Sequence, residues 1–114
     1  MSQGARGAHS KEAAAVPAGG SIQVRSGFYD GLEVALDRDW LVIGRGRGAD
    51  VVLAEATISR AHAAFGVERG AFFVQDLGST NGTMVNGSKI ERQELKSGDE
   101  VQMGRLVIGV TLPG

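Results

Sequence analysis

The sequence has no cysteine among its 114 residues, which excludes disulfide bonds, thiol catalysis and thiolate metal sites and is compatible with a reducing cytosol. It also has no apolar run near the ~18 residues that a membrane-spanning helix needs. The apolar residues 13–16 are too few to form the core of a signal peptide. From these absences we expect a cytoplasmic protein with no direct insertion into a membrane.

Charge of either sign is not in excess. The formal net charge is −1 and the isoelectric point is about 6.1, so the field of the whole molecule does not attract nucleic acid. We therefore expect no nucleic-acid partner, and the role of each basic residue has to be considered separately.

Histidine is equally scarce, since His9 and His62 are the only two. A nucleophilic pair of Ser59 and His62 would have no evident carboxylate to orient it, and one histidine in the folded region is too few for a metal site. Glycine-rich residues 44–48 precede a strand-like stretch, whereas a nucleotide-binding loop precedes a helix. The sequence thus predicts no enzyme, no metal and no cofactor.

The distribution of apolar residues divides the chain in two. Residues 1–20 contain no large apolar residue except Met1 and Val16, so we predict a disordered N-terminal tail. From residue 21 onwards, pairs such as Ile22 with Val24 alternate with polar residues, the period of a half-buried strand. Turn signals at roughly 8 to 12 residue spacing indicate about ten or eleven short strands. We predict an all-β sandwich over residues 21–114, with no convincing helix.

Residues 76–87, which read Asp-Leu-Gly-Ser-Thr-Asn-Gly-Thr-Met-Val-Asn-Gly, are the most distinctive stretch. Asn86 and Gly87 fit a two-residue hairpin turn, because both types tolerate positive φ. A second hairpin at Asn81 and Gly82 would leave only three residues for the strand between the two turns. We therefore predict that residues 79–82 form a rigid, irregular loop suited to recognition.

Three polar loops together carry groups that bind phosphate. Taken singly, residues 44–48 are a surface turn with solvated arginines, and the segment from Ser59 to His62 is a polar connection with a satisfied histidine. Taken together, they offer the guanidinium groups of Arg45 and Arg60 and the hydroxyls of Ser59 and Thr80. Backbone N–H groups can complete an anion site, and the amide of Asn81 can bond an extended peptide.

These residues resemble the forkhead-associated domain. Gly44 and Arg45, then residues 59–62 (Ser-Arg-Ala-His), then residues 76–87 stand in that family's order and spacing, and the resemblance covers residues 22–112. It implies an eleven-stranded antiparallel β-sandwich that binds phosphothreonine peptides through loops at one end. By position, Arg45 and Ser59 would hold the phosphate, Arg60 and Thr80 would add contacts, and Asn81 would bond the peptide main chain. The resemblance assigns structural support of the site to Gly44, His62, Gly82, Asn86 and Gly87.

The function implied is that of a signalling adaptor that binds a phosphothreonine-containing protein or peptide after an upstream Ser/Thr protein kinase has modified it. The alternative is a scaffold domain of the same fold in a larger, secretion-type assembly that has lost phosphate recognition. The presence of Arg45, Ser59 and Asn81 argues against this alternative. A phosphopeptide pull-down with and without phosphatase distinguishes the two.

Overall fold

A computed structural model describes residues 16–113, and in this part of the chain the structure is all-β. It contains eleven strands and one short 3-10 helix at Gly27–Tyr29, and no α-helix, so the predicted all-β sandwich is confirmed. The strands are β1 (Ser21–Val24), β2 (Glu33–Ala35), β3 (Trp40–Gly44), β4 (Val51–Val52), β5 (Ala63–Glu68), β6 (Ala71–Asp76), β7 (Thr83–Val85), β8 (Ser88–Ile90), β9 (Arg92–Glu94), β10 (Glu100–Met103) and β11 (Leu106–Thr111).

The strands form two sheets. One sheet has six strands in the order β2-β1-β11-β10-β7-β8, and the other has five in the order β4-β3-β5-β6-β9. The pairing is antiparallel except between β3 and β4, where Ile43 lies opposite Val51 in a parallel register. The predicted antiparallel sandwich thus contains one parallel pair at its edge. Its cause is the loop between these strands, which returns the chain so that the Asp50 N–H donates to the Val42 carbonyl (2.9 Å).

The core lies between the sheets and follows the alternation seen in the sequence. Alternate side chains of each central strand point inward, and their burial supplies the main favourable term in folding. Leu32 is an exception, because it lies just before β2 and is 37% exposed. The most completely buried large apolar residues are Ile22, Ile43, Ile58, Phe65, Val74, Val101, Met103, Leu106, Ile108 and Val110.

The N-terminal boundary lies in a segment that is only partly described. Residues 1–15 of the predicted tail lie outside the described residues. Residues 16–20 were also assigned to the tail, but Val16 packs against the core and the Gly20 carbonyl accepts the Leu36 N–H (2.9 Å). These contacts extend the packed structure beyond the predicted start at residue 21. Within residues 16–113, no helix has the length and hydrophobicity to cross a membrane.

The hairpin turn predicted at Asn86 and Gly87 joins β7 to β8. Both residues have positive φ, 50° and 87°, as this turn requires. The Asn86 side chain also joins the turn to the start of β10: its Nδ2 donates to Asp99 Oδ1 (3.0 Å) and its Oδ1 accepts the Glu100 N–H (2.9 Å). The hairpin is therefore fixed to its own sheet, which holds the loop that precedes β7.

Candidate functional site

Hydrogen bonds join the loops at one end of the sandwich. The Arg45 N–H, after β3, donates to the Ser59 carbonyl (3.0 Å) in the loop between β4 and β5. The Thr80 N–H, between β6 and β7, donates to Ser59 Oγ (3.0 Å). The Arg105 N–H, between β10 and β11, donates to Thr57 Oγ1 (2.8 Å). Four connections that are distant in sequence thus meet around the β4–β5 loop.

Arg45 is held at this junction by its own side chain. Its Nε donates to the Ile58 carbonyl (2.9 Å), which fixes the direction of the guanidinium group. The two terminal nitrogens have no hydrogen-bond or ion-pair partner within residues 16–113. Arg45 therefore presents a fixed, planar pair of donors at the surface beside Ser59.

Gly44 permits the close approach between β3 and the β4–β5 loop. A Cβ at this position would overlap the carbonyl of Arg60 and would lie 3.0 Å from the Cα of Ala61. The next contact along the loop is the Gly46 N–H, which donates to the same Arg60 carbonyl (3.1 Å). A side chain at residue 44 would separate Arg45 from the loop that carries Ser59.

Ser59 is the centre of the junction. Its Oγ accepts the Thr80 N–H, which leaves its own hydroxyl proton available to an anion, and its backbone N–H donates to His62 Nδ1 (3.0 Å). The side chains of Arg60 and Thr80 are exposed and make no hydrogen bond to the described residues. The backbone N–H groups of Ser59 and Thr80 donate to His62 Nδ1 and Ser59 Oγ. The backbone N–H of Arg60, by contrast, has no acceptor in residues 16–113.

His62 connects two of the loops from inside the protein. Its side chain is completely buried; Nδ1 accepts the Ser59 N–H, and Nε2 lies 2.8 Å from the Gly82 carbonyl. Because Nδ1 is an acceptor, the proton resides on Nε2 and is donated to Gly82. Gly82 itself has a φ of +83°, which glycine adopts at little cost. The neutral imidazole thus fixes the position of Ser59 relative to the β6–β7 loop.

Asn81 lies at the exposed tip of the β6–β7 loop. Its Nδ2 donates to the Thr57 carbonyl (2.8 Å), which orients the amide. The Oδ1 atom and the second N–H of the amide remain available, and these are one acceptor and one donor. Asn81 can therefore still make the paired hydrogen bonds that an extended peptide backbone requires.

Asp76 organises the β6–β7 loop, a role that sequence reasoning missed. Its carboxylate accepts the hydroxyls of Ser79 (2.5 Å) and Thr83 (2.7 Å) and the backbone N–H groups of Gly78 (3.0 Å) and Ser79 (3.1 Å). Burial raises the pKa of Asp76, but these hydrogen bonds together outweigh it and hold the pKa below the usual 3.8. The spacing Asp-Leu-Gly-Ser is the sequence signal, since aspartate commonly bonds backbone N–H groups two and three residues on.

Replacing Asp76 with asparagine is expected to lower the free energy of unfolding at pH 7 by about 2 kcal/mol, because hydrogen bonds to a charged acceptor are lost. Since the folded pKa lies below the unfolded value, the carboxylate stabilises the fold at pH values above about 4 and ceases to do so as the pH falls through the folded pKa. Urea unfolding of both proteins at pH 7 and pH 3 measures this. A difference between the two proteins that is the same at both pH values would contradict the assignment.

Several arginines around this junction form no ion pair with the described residues. Ion pairs in residues 16–113 involve only Arg38 and Arg92, which lie elsewhere. The exposed arginines of the four loops are not among these ion-paired residues. They are Arg45, Arg47, Arg60 and Arg105. Sequence reasoning identified the first three, but it missed Arg105, which belongs to no motif.

Comparisons with known proteins agree with this architecture. A family model described as FHA domain matches residues 41–104. The oxoglutarate dehydrogenase inhibitor of Corynebacterium diphtheriae is 43% identical over 90 residues, which are 78% of this chain and 63% of that protein. The glycogen accumulation regulator GarA of Mycolicibacterium smegmatis is 40% identical over 91 residues, which are 79% of this chain and 58% of that protein. The chain thus spans less than two thirds of the length of these relatives.

A solved structure from a structural and functional analysis of phosphothreonine-dependent FHA domain interactions has the same fold. It superposes with a TM-score of 0.76 at 29% identity and covers 83% of this chain and 97% of that one. The family match extends over more than half of the chain and includes all three polar loops. By its sequence and its fold, this chain belongs to the FHA domain family.

Proposed function

We propose that this chain is a phosphothreonine-peptide binding module. The observation that carries the proposal is the hydrogen-bonded junction of Arg45, Ser59 and Thr80, which places an oriented guanidinium group and a hydroxyl donor at one exposed point. An ionised phosphate ester has a high negative charge and several acceptor oxygens. It can therefore accept hydrogen bonds from both the guanidinium group and the hydroxyl. The solved structure named above supports the same ligand class, because it comes from work on phosphothreonine-dependent interactions.

Each site residue has a specific part in this proposal. The terminal nitrogens of Arg45 and the hydroxyl of Ser59 hold the phosphate, and Arg60 contributes its charge and its backbone N–H. Thr80 adds a hydroxyl at the edge of the phosphate site. Asn81, oriented by Thr57, bonds the main chain of the peptide beside the phosphorylated residue.

The expected affinity is moderate. Three or four charge-assisted hydrogen bonds contribute about 1.5 to 3 kcal/mol each, and the ordering of the peptide opposes them. The net result is a roughly micromolar complex, near −8 kcal/mol. One methyl group distinguishes phosphothreonine from phosphoserine, and its burial is worth about 0.8 kcal/mol, or roughly fourfold in affinity. The stiffer χ1 of threonine adds to this preference.

The biological role that follows is recognition of a partner that a Ser/Thr protein kinase has phosphorylated. The relatives are named as an inhibitor and a regulator, which supports a binding role and not a catalytic one.

Calorimetric titration with one peptide in three forms tests the function. We expect the phosphothreonine form to bind with a dissociation constant on the order of 1 to 10 μM, the phosphoserine form to bind at least about fourfold more weakly, and the unmodified form not to bind. The peptide sequence is best chosen from a phosphothreonine peptide library. Equal affinity for the phosphorylated and unmodified forms would refute the proposal.

A further inference from the structure

Lys89 places a positive charge beside the loop that carries Asn81. It lies on β8, opposite Met84 in the β7–β8 hairpin, and its side chain extends across Gly82. Its Cε is 3.1 Å and its Nζ 3.8 Å from the position that a Cβ of Gly82 would occupy. The ammonium group is therefore adjacent to the residue that follows Asn81.

The fold maintains this position. Gly82 has no side chain that could displace the lysine, and its φ of +83° disfavours every other residue type. The carbonyl of Gly82 is bonded to buried His62 and its N–H to Ser79 Oγ (2.9 Å), so the backbone beneath the lysine is fixed. The stem of Lys89 covers a rigid surface, while its ammonium group reaches the edge of the site.

The charge of Lys89 has no ion-pair partner in the part of the chain that the structure describes. No carboxylate lies within ion-pair distance of Nζ in residues 16–113, where the ion pairs involve Arg38 and Arg92. Covering the backbone of Gly82 requires only the aliphatic stem of Lys89 and not its charged end. The unpaired ammonium group thus has the chemistry to bind a carboxylate that arrives with a ligand.

The other side of Asn81 carries the opposite charge. Its amide donates to the Thr57 carbonyl, and the Thr57 N–H (3.1 Å) and hydroxyl (2.7 Å) donate to Glu55 Oε2. The side-chain and backbone hydrogen bonds from Thr57 hold the pKa of Glu55 below its usual 4.5, so this carboxylate is ionised at neutral pH. Asn81 therefore has a cation without an ion pair on the Gly82 side, whereas on the Thr57 side the Glu55 carboxylate is accompanied by Arg105, whose charge also lowers the pKa of Glu55.

We propose that Lys89 is a specificity-determining residue that binds an acidic side chain of the phosphopeptide, close to the phosphothreonine and on the Gly82 side of Asn81. This inference rests on the proposed function, because it concerns the ligand of the same site. The ligand class is thus a phosphothreonine peptide with an acidic residue on one flank. An acidic residue on the other flank meets both Glu55 and Arg105, whose charges offset one another, and gains no affinity.

A set of phosphothreonine peptides tests the inference. Each peptide carries a single aspartate at one of the positions near the phosphothreonine, on either side, in an otherwise neutral sequence. We expect one flank to include a position that strengthens binding about two- to fivefold, the range of an exposed ion pair, with a smaller gain at high salt. In Lys89→Met, which keeps an unbranched apolar stem, this gain disappears while the reference peptide without aspartate binds with nearly unchanged affinity.

Lys96→Met is the matched control, because Lys96 is exposed and lies in the β9–β10 connection, outside the four loops of the site. We expect this variant to retain the preference for aspartate. In Lys89→Glu, the preferred residue at the same peptide position should change from aspartate to lysine. The charge reversal provides a second readout, because it predicts a new preference that a disturbance of the loop in Lys89→Met could not produce.

The outcomes separate this inference from the function on which it rests. If wild-type protein binds every phosphopeptide of the set with the same affinity, or if Lys89→Met and Lys89→Glu keep the wild-type preference, the role of Lys89 is overturned and phosphopeptide binding still holds. If wild-type protein binds none of the phosphopeptides, both proposals are overturned.

Discussion

Replacing Arg45 with alanine is expected to weaken phosphothreonine-peptide binding by more than about a hundredfold, because two charge-assisted hydrogen bonds worth about 1.5 to 3 kcal/mol each are lost. Ser59→Ala is expected to weaken binding by at least about tenfold, since a single hydroxyl donor is removed. Neither change removes a buried side chain, and the Ser59 N–H that donates to His62 remains in the alanine variant. Titration calorimetry measures the affinities, and thermal unfolding shows that both variants fold.

Arg47→Ala is the control for Arg45→Ala. Arg47 lies two residues along the same loop and is equally exposed, but none of its atoms takes part in the hydrogen-bonded junction. We expect its loss to change the affinity by less than about fivefold, the effect of a single exposed charge. Arg45→Ala and Arg47→Ala proteins of equal affinity would show that charge alone, and not the oriented fork of Arg45, attracts the peptide.

His62→Ala is expected to lower the free energy of unfolding by about 3 kcal/mol, because the Ser59 N–H and the Gly82 carbonyl lose their partner and a buried cavity is created. For a domain of this size the melting temperature should fall by more than about 10 °C. Phosphopeptide affinity should also decrease at a temperature where the variant is folded, since Ser59 and the β6–β7 loop are no longer held together. Thermal unfolding and calorimetric titration provide the two measurements.

Ser59→Ala serves as the comparison for the histidine variant, because it removes a proposed phosphate contact and the exposed Thr80 hydrogen bond but keeps the buried connection from the Ser59 N–H through His62 to Gly82. We expect Ser59→Ala to lose affinity with only a small decrease in the free energy of unfolding, about 1 kcal/mol or less, and His62→Ala to lose both affinity and the much larger share of stability given above. A His62→Ala protein that melts at the wild-type temperature would show that the buried imidazole does not brace the site, in conflict with the geometry.

Much of the fold was predictable from the sequence because the buried residues of the core strands recur every second position. Ile22 and Val24 alternate with polar residues, Leu41 and Ile43 repeat the same two-residue period, and the structure buries all four. The turn residues were equally informative, since Asn86 and Gly87 both take the positive φ that their types permit. Local rules were sufficient at these positions because local preference and tertiary packing agree.

The edge strands were less predictable. The strands β8 and β9 are almost wholly exposed, so neither has an apolar alternation, and only pairing with β7 and β6 defines them. The direction of β4 depends on where its connecting loop returns, which the two residues Val51 and Val52 do not encode. Pairing between segments distant in sequence, and not local preference, determines these features.

The residues of the site were predictable where their side chains, such as guanidinium and hydroxyl groups, are of types that bind phosphate. The structure brings Arg45, Ser59 and Thr80 together through hydrogen bonds, and it places Asn81 on the same junction. Their roles toward a phosphopeptide stay predictions. The sequence did not reveal the residues that reach the site only through the three-dimensional fold.

Two residues illustrate that limit. Lys89 gains its place because its side chain extends across Gly82, and Arg105 because its N–H donates to the Thr57 hydroxyl from a turn 48 residues away. Neither residue belongs to a motif with a recognisable spacing. Only the three-dimensional arrangement of the hairpin and the loops connects them with the site.

The most direct test of the account is amide chemical-shift mapping of the isotope-labelled protein during titration with a phosphothreonine peptide. The account predicts that the largest shifts occur in the three polar loops and that phosphatase treatment of the peptide abolishes them. The amides expected to respond most are those of Arg45, Ser59, Arg60, Thr80 and Asn81. Shifts confined to the opposite end of the sandwich, or unchanged by phosphatase, would contradict the account.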